Sequence, residues 1–262
     1  MSSIKGFIID LDGTVYLQDS PIPGAIEAIN RLYEQGHKIC FLTNNPTREN
    51  KFYYQKLKNM GLHVSLNDVL SATYITTLFF QQIMEEKDRL WVEGEPALRR
   101  ELQKAGLAMA SSPLTSTMAV LGGGPSFTFN HLNNLYQAYL KGAKMYATNS
   151  DLTCPLENEK VPDTGAWIAA LESLMGENSF VEVIGKPSSN TAKTVLRHLN
   201  LSPEDCYVVG DRLDTDILLA QQNGMKSVLV LTGVTSLEDL KNHSGAQPNY
   251  VLKSLPELTI IE

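Results

Sequence analysis

Residue types that could do chemistry stand in four short segments that lie far apart in the chain. The segments are Asp10-Leu-Asp12-Gly13-Thr14, Thr43-Asn44-Asn45, Gly185-Lys186-Pro187, and Gly210-Asp211 through Thr215-Asp216. Together they offer carboxylates, a hydroxyl, an amide and an ammonium group, which are the side chains that hold a divalent ion and an anionic substrate group. The four segments are therefore the candidates for a single site that acts on an anion such as a phosphate.

Asp10 and Asp12 follow an apolar, strand-like run and are two positions apart, so both side chains point to the same side. At about 3.3 Å per residue their Cα atoms lie roughly 6–7 Å apart, enough to bracket one tetrahedral group. Carboxylates this close repel one another, so they require a counter-cation, and Asp211 supplies a third carboxylate. Oxygen ligands suit Mg²⁺, which keeps several waters and binds a substrate phosphate. Gly13 lets the backbone turn sharply beside the ligand.

Thr43, Asn44 and Lys186 can neutralise and bind the same anion. The hydroxyl and the amide can donate to phosphate oxygens, and the lysine can balance charge on the phosphate and on the nucleophile. With the carboxylates, these groups fit phosphoryl transfer through an aspartyl-phosphate. Each also has an ordinary structural explanation, since Thr-Asn-Asn could cap a helix, the lysine could be solvated and Asp214 could favour a helix N-terminus. Asp216 is interpreted as a residue that orients Lys186 or metal-bound water.

The elements that must position these segments alternate between strand and helix. Strands are predicted at Gly6–Leu11, Lys38–Thr43, Val181–Ile184, Tyr207–Val209 and Ser227–Leu231, and helices at Pro23–Gln35, Thr47–Asn59, Thr73–Glu86, Asn190–Leu199 and Thr215–Gln222. Continuous Val/Ile/Leu runs flanked by helices predict an α/β fold with a doubly wound, Rossmann-like parallel sheet. The carboxyl ends of its strands share one edge, so the four segments are expected to meet there.

The middle of the chain repeats this alternation separately, with strand candidates Leu90–Val92, Met118–Leu121 and Met145–Ala147. The helix stripe there, Leu132, Leu135, Tyr136 and Tyr139, is either core or an oligomer face. We predict that residues 88–178 form a smaller inserted α/β domain, and that residues 1–87 and 179–262 form the catalytic core.

Composition excludes several protein classes. Of 262 residues, 43% are hydrophobic and 19% charged, which excludes a disordered chain. The net charge of −7 argues against nucleic-acid and anionic-membrane partners. No apolar run approaches the ~18 residues of a membrane span, no signal peptide is recognised and no Cys-x-x-Cys motif suggests zinc, so a cytoplasmic protein is expected. Cys40 and Cys206 are predicted to be buried thiols, and Cys154 an incidental thiol in a polar loop.

The four segments in this order resemble the motifs of the haloacid dehalogenase superfamily. The resemblance rests on Phe7-Ile-Ile-Asp10-Leu-Asp12-Gly-Thr14, Leu42-Thr43-Asn44-Asn45, Ile184-Gly-Lys186-Pro187 and Val209-Gly-Asp211-Arg-Leu-Asp214-Thr-Asp216-Ile217. The Thr-Asn-Asn and Gly-Asp-Arg-Leu-Asp-Thr-Asp versions, with an insert of about 90 residues between the second and third motifs, are similar to NagD-like phosphatases with a C2-type cap. The resemblance covers essentially the whole chain.

The resemblance implies a role for each carboxylate. Asp10 would be the nucleophile and a metal ligand. Asp12 would be the general acid and base, and its backbone carbonyl would bind Mg²⁺. Asp211 would be the other carboxylate ligand.

It also implies how the substrate is held. Thr43, the Asn44 backbone and Lys186 would hold the transferring phosphoryl group, beside Gly13. The inserted domain would be a lid that excludes water and reads the leaving group, through the loop Asn149-Ser-Asp-Leu-Thr-Cys-Pro…Pro162-Asp-Thr-Gly165. The chain departs from the family pattern at Gly122-Gly-Gly-Pro125, where relatives tend to carry Gly-hydrophobic-Asp, and at Asp163, where Gly is more usual. These departures concern specificity and leave the chemistry intact.

The function expected from these observations is a Mg²⁺-dependent phosphatase of small phosphorylated metabolites, sugar or acid-sugar phosphates. The resemblance also allows a homodimer formed through the inserted domain. The alternatives are a phosphomutase, which would return the phosphoryl group to its substrate, and a catalytically idle sensor that binds phosphometabolites. A dehalogenase is disfavoured because Asp12 is present and dehalogenation requires no acid there.

Overall fold

The computed structural model describes residues 4–155 and 159–260. The strands are β1 Gly6–Ile9, β2 Tyr16–Leu17, β3 Ser20–Pro21, β4 Lys38–Thr43, β5 Val69–Ser71, β6 Leu90–Glu93, β7 Met118–Leu121, β8 Lys144–Ala147, β9 Thr153–Pro155, β10 Lys160–Pro162, β11 Phe180–Val183, β12 Cys206–Gly210, β13 Lys226–Val230 and β14 Tyr250–Leu252. The α-helices are α1 Ala25–Glu34, α2 Asn50–Asn59, α3 Ala72–Ile83, α4 Pro96–Lys104, α5 Phe129–Leu140, α6 Thr164–Met175, α7 Ser189–Leu199, α8 Leu218–Gln222 and α9 Leu237–Asn242. Short 3₁₀ turns lie at Leu66–Asp68, Pro113–Thr115, Pro203–Asp205 and Leu255–Ile260, and a π-helical turn at Leu213–Ile217. Across these ranges, no helix has both the length and the apolar character needed to cross a bilayer.

The larger sheet has six parallel strands in the order β14-β13-β12-β1-β4-β5. We call it the core sheet. Its central strand β1 is apolar throughout, and successive side chains point to opposite faces. Ile9 packs in one cluster with Ile29 of α1, whereas Ile8 packs on the other face with Val195 of α7. Helices therefore cover both faces, which confirms the predicted doubly wound α/β fold.

The smaller sheet has four parallel strands in the order β11-β8-β7-β6 and is called the inserted sheet. One face packs against α5 and α6, and the helix stripe contributes to that cluster, with Leu135 buried and the other three residues partly buried. The stripe is therefore core. The other face joins the apolar cluster of the core sheet, where the rings of Phe80 and Tyr146 lie 5.2 Å apart between centroids. Apolar packing thus connects the two sheets.

Strand β11 lies in the inserted sheet, whereas the sequence predicted it in the core sheet. The predicted boundary between residues 178 and 179 placed the strand near Val181–Ile184 in the catalytic core, but β11 pairs with β8, with Val183 opposite Ala147. A short apolar run does not specify which sheet it joins, since either sheet could bury it. The remaining domain division stays a prediction, and residues 1–3, 156–158 and 261–262 lie outside the described residues.

Candidate active site

A pocket at the carboxyl edge of the core sheet gathers the residues singled out in the sequence. Its lining includes Asp10, Asp12, Thr43, Asn44, Lys186 and Asp211. β1, β4 and β12 are parallel neighbours, so the residues at their ends emerge on the same side. Lys186 arrives differently, because it follows β11 of the inserted sheet and its loop crosses to the core. The sheet-edge argument therefore explains Asp10, Thr43 and Asp211, but not Lys186.

The Lys186 ammonium group is the centre of a buried ion-pair network. Its Nζ donates to Oδ1 of Asp10 across 2.5 Å and to Oδ1 of Asp216 across 2.7 Å, and its side chain is only 2% exposed. Burial by itself would lower the pKa of Lys186, but the carboxylates of Asp10 and Asp216 raise it above its ordinary value. Lys186 therefore stays protonated, with Asp216 holding it beside Asp10.

Asp10, Asp211 and Asp216 bring carboxylate oxygens within 4.8 Å of one another. All three side chains are buried. Burial and Asp216 raise the pKa of Asp211 to about 7. Burial, together with Asp216 and Asp211, also raises the pKa of Asp10, against the opposing effect of Lys186. One ammonium group is thus insufficient to balance three buried acids, and their all-oxygen donor set fits Mg²⁺.

The three carboxylates differ in the other hydrogen bonds that they accept. Asp216 already accepts from Lys186 through Oδ1 and from the backbone N–H of Arg212 through Oδ2, at 3.2 Å. Asp211 accepts from the backbone N–H of Val234 across 2.6 Å through Oδ2. Asp10 and Asp211 each have one oxygen without a hydrogen bond among the described residues and could hold an ion, whereas both oxygens of Asp216 are occupied.

Two glycines leave space for the Asp211 carboxylate. A Cβ on Gly13 would lie 2.5 Å from Oδ2 of Asp211, and one on Gly233 would lie 2.0 Å from the same atom. Gly13 also has a φ of 87°, which disfavours other residues. Gly13 therefore lies against the Asp211 carboxylate, and so does Gly233, which is outside the four segments and was not predicted from the sequence.

Asp12 differs from Asp10 in the hydrogen bonding of its carboxyl group. Among the described residues, no hydrogen bond or ion pair holds its side chain, although it lines the same pocket. Burial raises its pKa, partly offset by Lys56, Lys186 and Arg212. A carboxyl group with a raised pKa and open oxygens can both donate and accept a proton.

Thr43 and Asn44 are positioned for different tasks. The Thr43 Oγ1 accepts from the Asn45 backbone N–H at 3.1 Å, which leaves its hydroxyl hydrogen able to donate into the pocket. The Asn44 side-chain amide donates to Oδ2 of Asp151 and to the Lys186 carbonyl, while its Oδ1 accepts from the Lys186 backbone N–H. The Asn44 side chain is thus occupied with structure, and its backbone N–H is the group that could meet a phosphate.

Arg212 contacts two residues of the inserted part of the chain, residues 88–178, which we call the inserted segment; the sequence alone did not predict these contacts. The Arg212 guanidinium donates to the Thr153 carbonyl across 2.6 Å, and its Nε lies 3.5 Å from Oδ1 of Asp151. Arg212 is adjacent to Asp211, and Asp151 lies in the loop proposed to face the substrate. Both residues therefore lie in segments that the sequence motifs had already singled out. Their pairing depends on tertiary structure that no local pattern encodes.

Cys154, expected in a polar loop, instead lies in β9 and lines the pocket, whereas Cys40 and Cys206 are buried as predicted.

Known proteins resemble this chain over nearly its whole length. A family model described as haloacid dehalogenase-like hydrolase matches residues 7–108, and a second HAD-hydrolase-like model matches residues 183–258. The chain is 34% identical over 257 residues to the sugar-phosphatase AraL of Bacillus subtilis (strain 168), covering 98% of this chain and 93% of that protein. The chain belongs to the haloacid dehalogenase-like hydrolase family.

Within that family the chain is NagD-like, as the sequence motifs predicted. It is 28% identical over 259 residues to the ribonucleotide monophosphatase NagD of Escherichia coli (strain K12), covering 99% of this chain and all of that protein. The p-nitrophenyl phosphatase from Archaeoglobus fulgidus has a TM-score of 0.92 at 34% identity and full coverage of both chains. A glycerol phosphate phosphatase from Mycobacterium tuberculosis in complex with magnesium has a TM-score of 0.86 at 28% identity, covering 97% of this chain and 76% of that one.

Proposed function

We propose that this chain is a magnesium-dependent phosphatase that hydrolyses phosphate monoesters of small metabolites, of the sugar and acid-sugar phosphate class, through a covalent phosphoryl intermediate on Asp10. That it is a phosphoric monoester hydrolase follows from its family and from its named phosphatase relatives. One observation carries the finer proposal: the Asp10 carboxylate lies in the pocket, paired with protonated Lys186, while the Asp12 carboxyl, unpaired among the described residues, lines the same pocket.

In the first step, an oxygen of the Asp10 carboxylate forms a bond to phosphorus. The bond between phosphorus and the ester oxygen breaks, and its electron pair leaves with that oxygen. Protonated Asp12 gives its proton to the departing oxygen, which leaves as an alcohol. Lys186, the Thr43 hydroxyl and the Asn44 backbone N–H stabilise charge on the non-bridging oxygens.

In the second step, the Asp12 carboxylate takes a proton from water. The water oxygen bonds to phosphorus and the bond from phosphorus to the Asp10 oxygen breaks, which restores the Asp10 carboxylate and releases inorganic phosphate. Asp12 is protonated again at the end, so the cycle is balanced in protons. Because its side chain is not fixed by other described residues, Asp12 can turn between the alcohol and the water.

Asp10, Asp211 and the Asp12 backbone carbonyl would hold the magnesium ion. When bound, the ion supplies positive charge to the phosphoryl oxygens and offsets the repulsion among the buried acids. The donor set of this pocket supports the proposal, as does the magnesium complex of the Mycobacterium tuberculosis relative.

The inserted segment is proposed to close the pocket and to contact the leaving group. Asp151, Thr153 and Asp163 line the pocket from that side, and Arg212 contacts the first two. Their position would limit the access of water while the phosphoryl group is on Asp10.

Turnover of p-nitrophenyl phosphate by the wild type and by Asp10→Asn, each with and without Mg²⁺, tests the proposed function. The wild type should release phosphate only with the ion, and Asp10→Asn should be inactive under both conditions. Equal activity of the two proteins would exclude Asp10 as the nucleophile. Isomerisation of a phosphosugar without release of phosphate would favour a mutase, and inactivity over a broad panel of phosphate esters would favour a sensor.

A further inference from the structure

The side of the pocket formed by the inserted segment is acidic. The inserted segment contributes Asp151 and Asp163 to the lining, and Asp12 lies in the same pocket. The lining contains two basic side chains, Lys186 and Arg212, among the described residues. Whether a substrate meets positive or negative charge on this side of the pocket therefore depends on whether Lys186 and Arg212 are already paired with protein groups.

Both bases are already paired with protein groups. Lys186 is shared between Asp10 and Asp216. Arg212 contacts Asp151 and the Thr153 carbonyl. Asp151 also accepts hydrogen bonds from the side-chain amides of Asn44 and Asn149. Of the two carboxylates that the inserted segment contributes, Asp163 is the one with no ion pair to a basic side chain in the described part of the chain.

The Asp163 carboxylate is fixed in place but not saturated with hydrogen bonds. Its Oδ1 accepts from the backbone N–H and the hydroxyl of Thr164, at 2.6 and 3.1 Å, so the start of α6 anchors it. Its Oδ2 receives a long bond of 3.4 Å from the Asn149 amide. Burial and the neighbouring Asp151 raise the pKa of Asp163 to about 6, and the group is therefore mainly ionised at neutral pH. A carboxylate oxygen can accept more than one hydrogen bond, so Oδ2 can still accept from a ligand.

We propose that Asp163 selects the substrate class: it accepts a hydrogen bond from a hydroxyl group at the far end of the leaving group and repels a carboxylate in the same place. The preferred substrates are then phosphates of neutral polyols and sugars, and acid-sugar phosphates are disfavoured. This inference rests on the proposed phosphatase function and narrows it.

Two matched substrate pairs test the inference on the full-length protein. Glycerol 3-phosphate and 3-phosphoglycerate differ in one terminal group, a CH₂OH in the first and a carboxylate in the second. Sorbitol 6-phosphate and 6-phosphogluconate differ in the same way on a longer chain. The wild type should show a kcat/KM at least about tenfold higher for the hydroxyl member of a pair, as expected for like charges a few ångströms apart.

Two variants show whether Asp163 is the cause. Asp163→Asn keeps a side-chain oxygen that can cap α6, and Asp163→Gly removes the side chain. Each should lower the ratio of hydroxyl to carboxylate kcat/KM by about tenfold, mainly by lowering KM for the carboxylate member. Asp214→Asn is the matched control, because it removes one negative charge from an exposed residue next to the pocket segment, and its ratio should equal that of the wild type.

The outcomes separate this inference from the function on which it rests. If p-nitrophenyl phosphate and all four esters resist hydrolysis, the proposed function fails. If p-nitrophenyl phosphate is hydrolysed but the wild type prefers the carboxylate members, hydrolyses none of the four, or keeps its ratio in both Asp163 variants, the function stands and the role of Asp163 is refuted.

Discussion

The Nζ of Lys186 lies 2.5 Å from Oδ1 of Asp10, and both side chains are buried. Lys186 follows a strand of the inserted sheet, whereas Asp10 follows the central strand of the core sheet. The Lys186 ammonium group therefore offsets the negative charge of Asp10, a carboxylate that also lies near Asp211 and Asp216. This pair connects the two parts of the structure at the place where the chemistry is proposed.

Removal of the Lys186 charge should damage catalysis much more than removal of an exposed lysine. Lys186→Met leaves Asp10 close to other acids, which favours the protonated and non-nucleophilic form of Asp10. We expect kcat for p-nitrophenyl phosphate to fall by about 100-fold or more. Lys193→Met, an exposed position on α7, is the control and should retain wild-type activity. A Lys186→Met enzyme as active as the Lys193 control would contradict this account.

Replacement of Asp12 should harm substrates with poor leaving groups most. Asp12→Asn cannot donate the proton that an alkyl alkoxide requires, whereas p-nitrophenolate leaves without one. The value of kcat/KM for an alkyl phosphate should therefore fall at least about tenfold more than that for p-nitrophenyl phosphate. This parameter is suitable because it includes departure of the alcohol and not the later hydrolysis. Equal losses for both substrates would exclude Asp12 as the general acid.

Gly13→Ala should impair metal binding through a steric contact with Asp211. Gly36 offers a matched control, since its φ of 83° is close to the 87° of Gly13. Alanine at either position costs about 1–2 kcal/mol of backbone strain. A Cβ at Gly36 would meet no heavy atom of the described residues within 4 Å, whereas one at Gly13 would lie 2.5 Å from Oδ2 of Asp211. Magnesium titrations of activity should therefore shift to higher concentration in Gly13→Ala alone, and an equal shift in both variants would attribute the effect to strain.

The charge of Asp163 should make the protein less stable as pH rises. Burial and Asp151 raise the pKa of this group from 3.8 to about 6 in the folded protein. The unfolded chain therefore releases its proton at lower pH than the folded protein, and the stability gained from the neutral form is lost as pH rises through about 6. From about pH 5 to about pH 8, the free energy of unfolding of the wild type should fall by roughly 1.5 kcal/mol relative to Asp163→Asn. Urea denaturation at the two pH values measures this difference, and parallel pH profiles for the two proteins would show that the Asp163 pKa is not raised.

Much of the fold was predictable from the sequence because its signals are local. The apolar runs that form β1, β4 and β12 indicate a parallel sheet, and the polar residues at their ends indicate the edge where the candidate site lies. Asp10, Thr43 and Asp211 were located in this way. The ends of helices are predicted less well than their presence. A helix was predicted to begin at Thr215, whereas a π-helical turn begins two residues earlier, at Leu213–Ile217.

The remaining features depend on contacts that no local pattern records. Strand β11 could have joined either sheet, and pairing with β8 decided the question. The contact between Arg212 and Asp151 joins residues far apart in the sequence, and the need for glycine at position 233 arises from the Asp211 carboxylate. The pairing of β11, the contact of Arg212 and the role of Gly233 are therefore visible only in the folded structure.

The most direct test of the account is to trap the phosphoryl group during turnover. The wild type and Asp12→Asn would be mixed with p-nitrophenyl phosphate and Mg²⁺, quenched rapidly in acid and treated with borohydride, which reduces an aspartyl-phosphate to homoserine, before peptide mapping by mass spectrometry. We predict homoserine at position 10 in both proteins, with more in Asp12→Asn because the intermediate is hydrolysed slowly there. Homoserine at position 12, at another aspartate, or at no position while phosphate is released would contradict nucleophilic catalysis by Asp10.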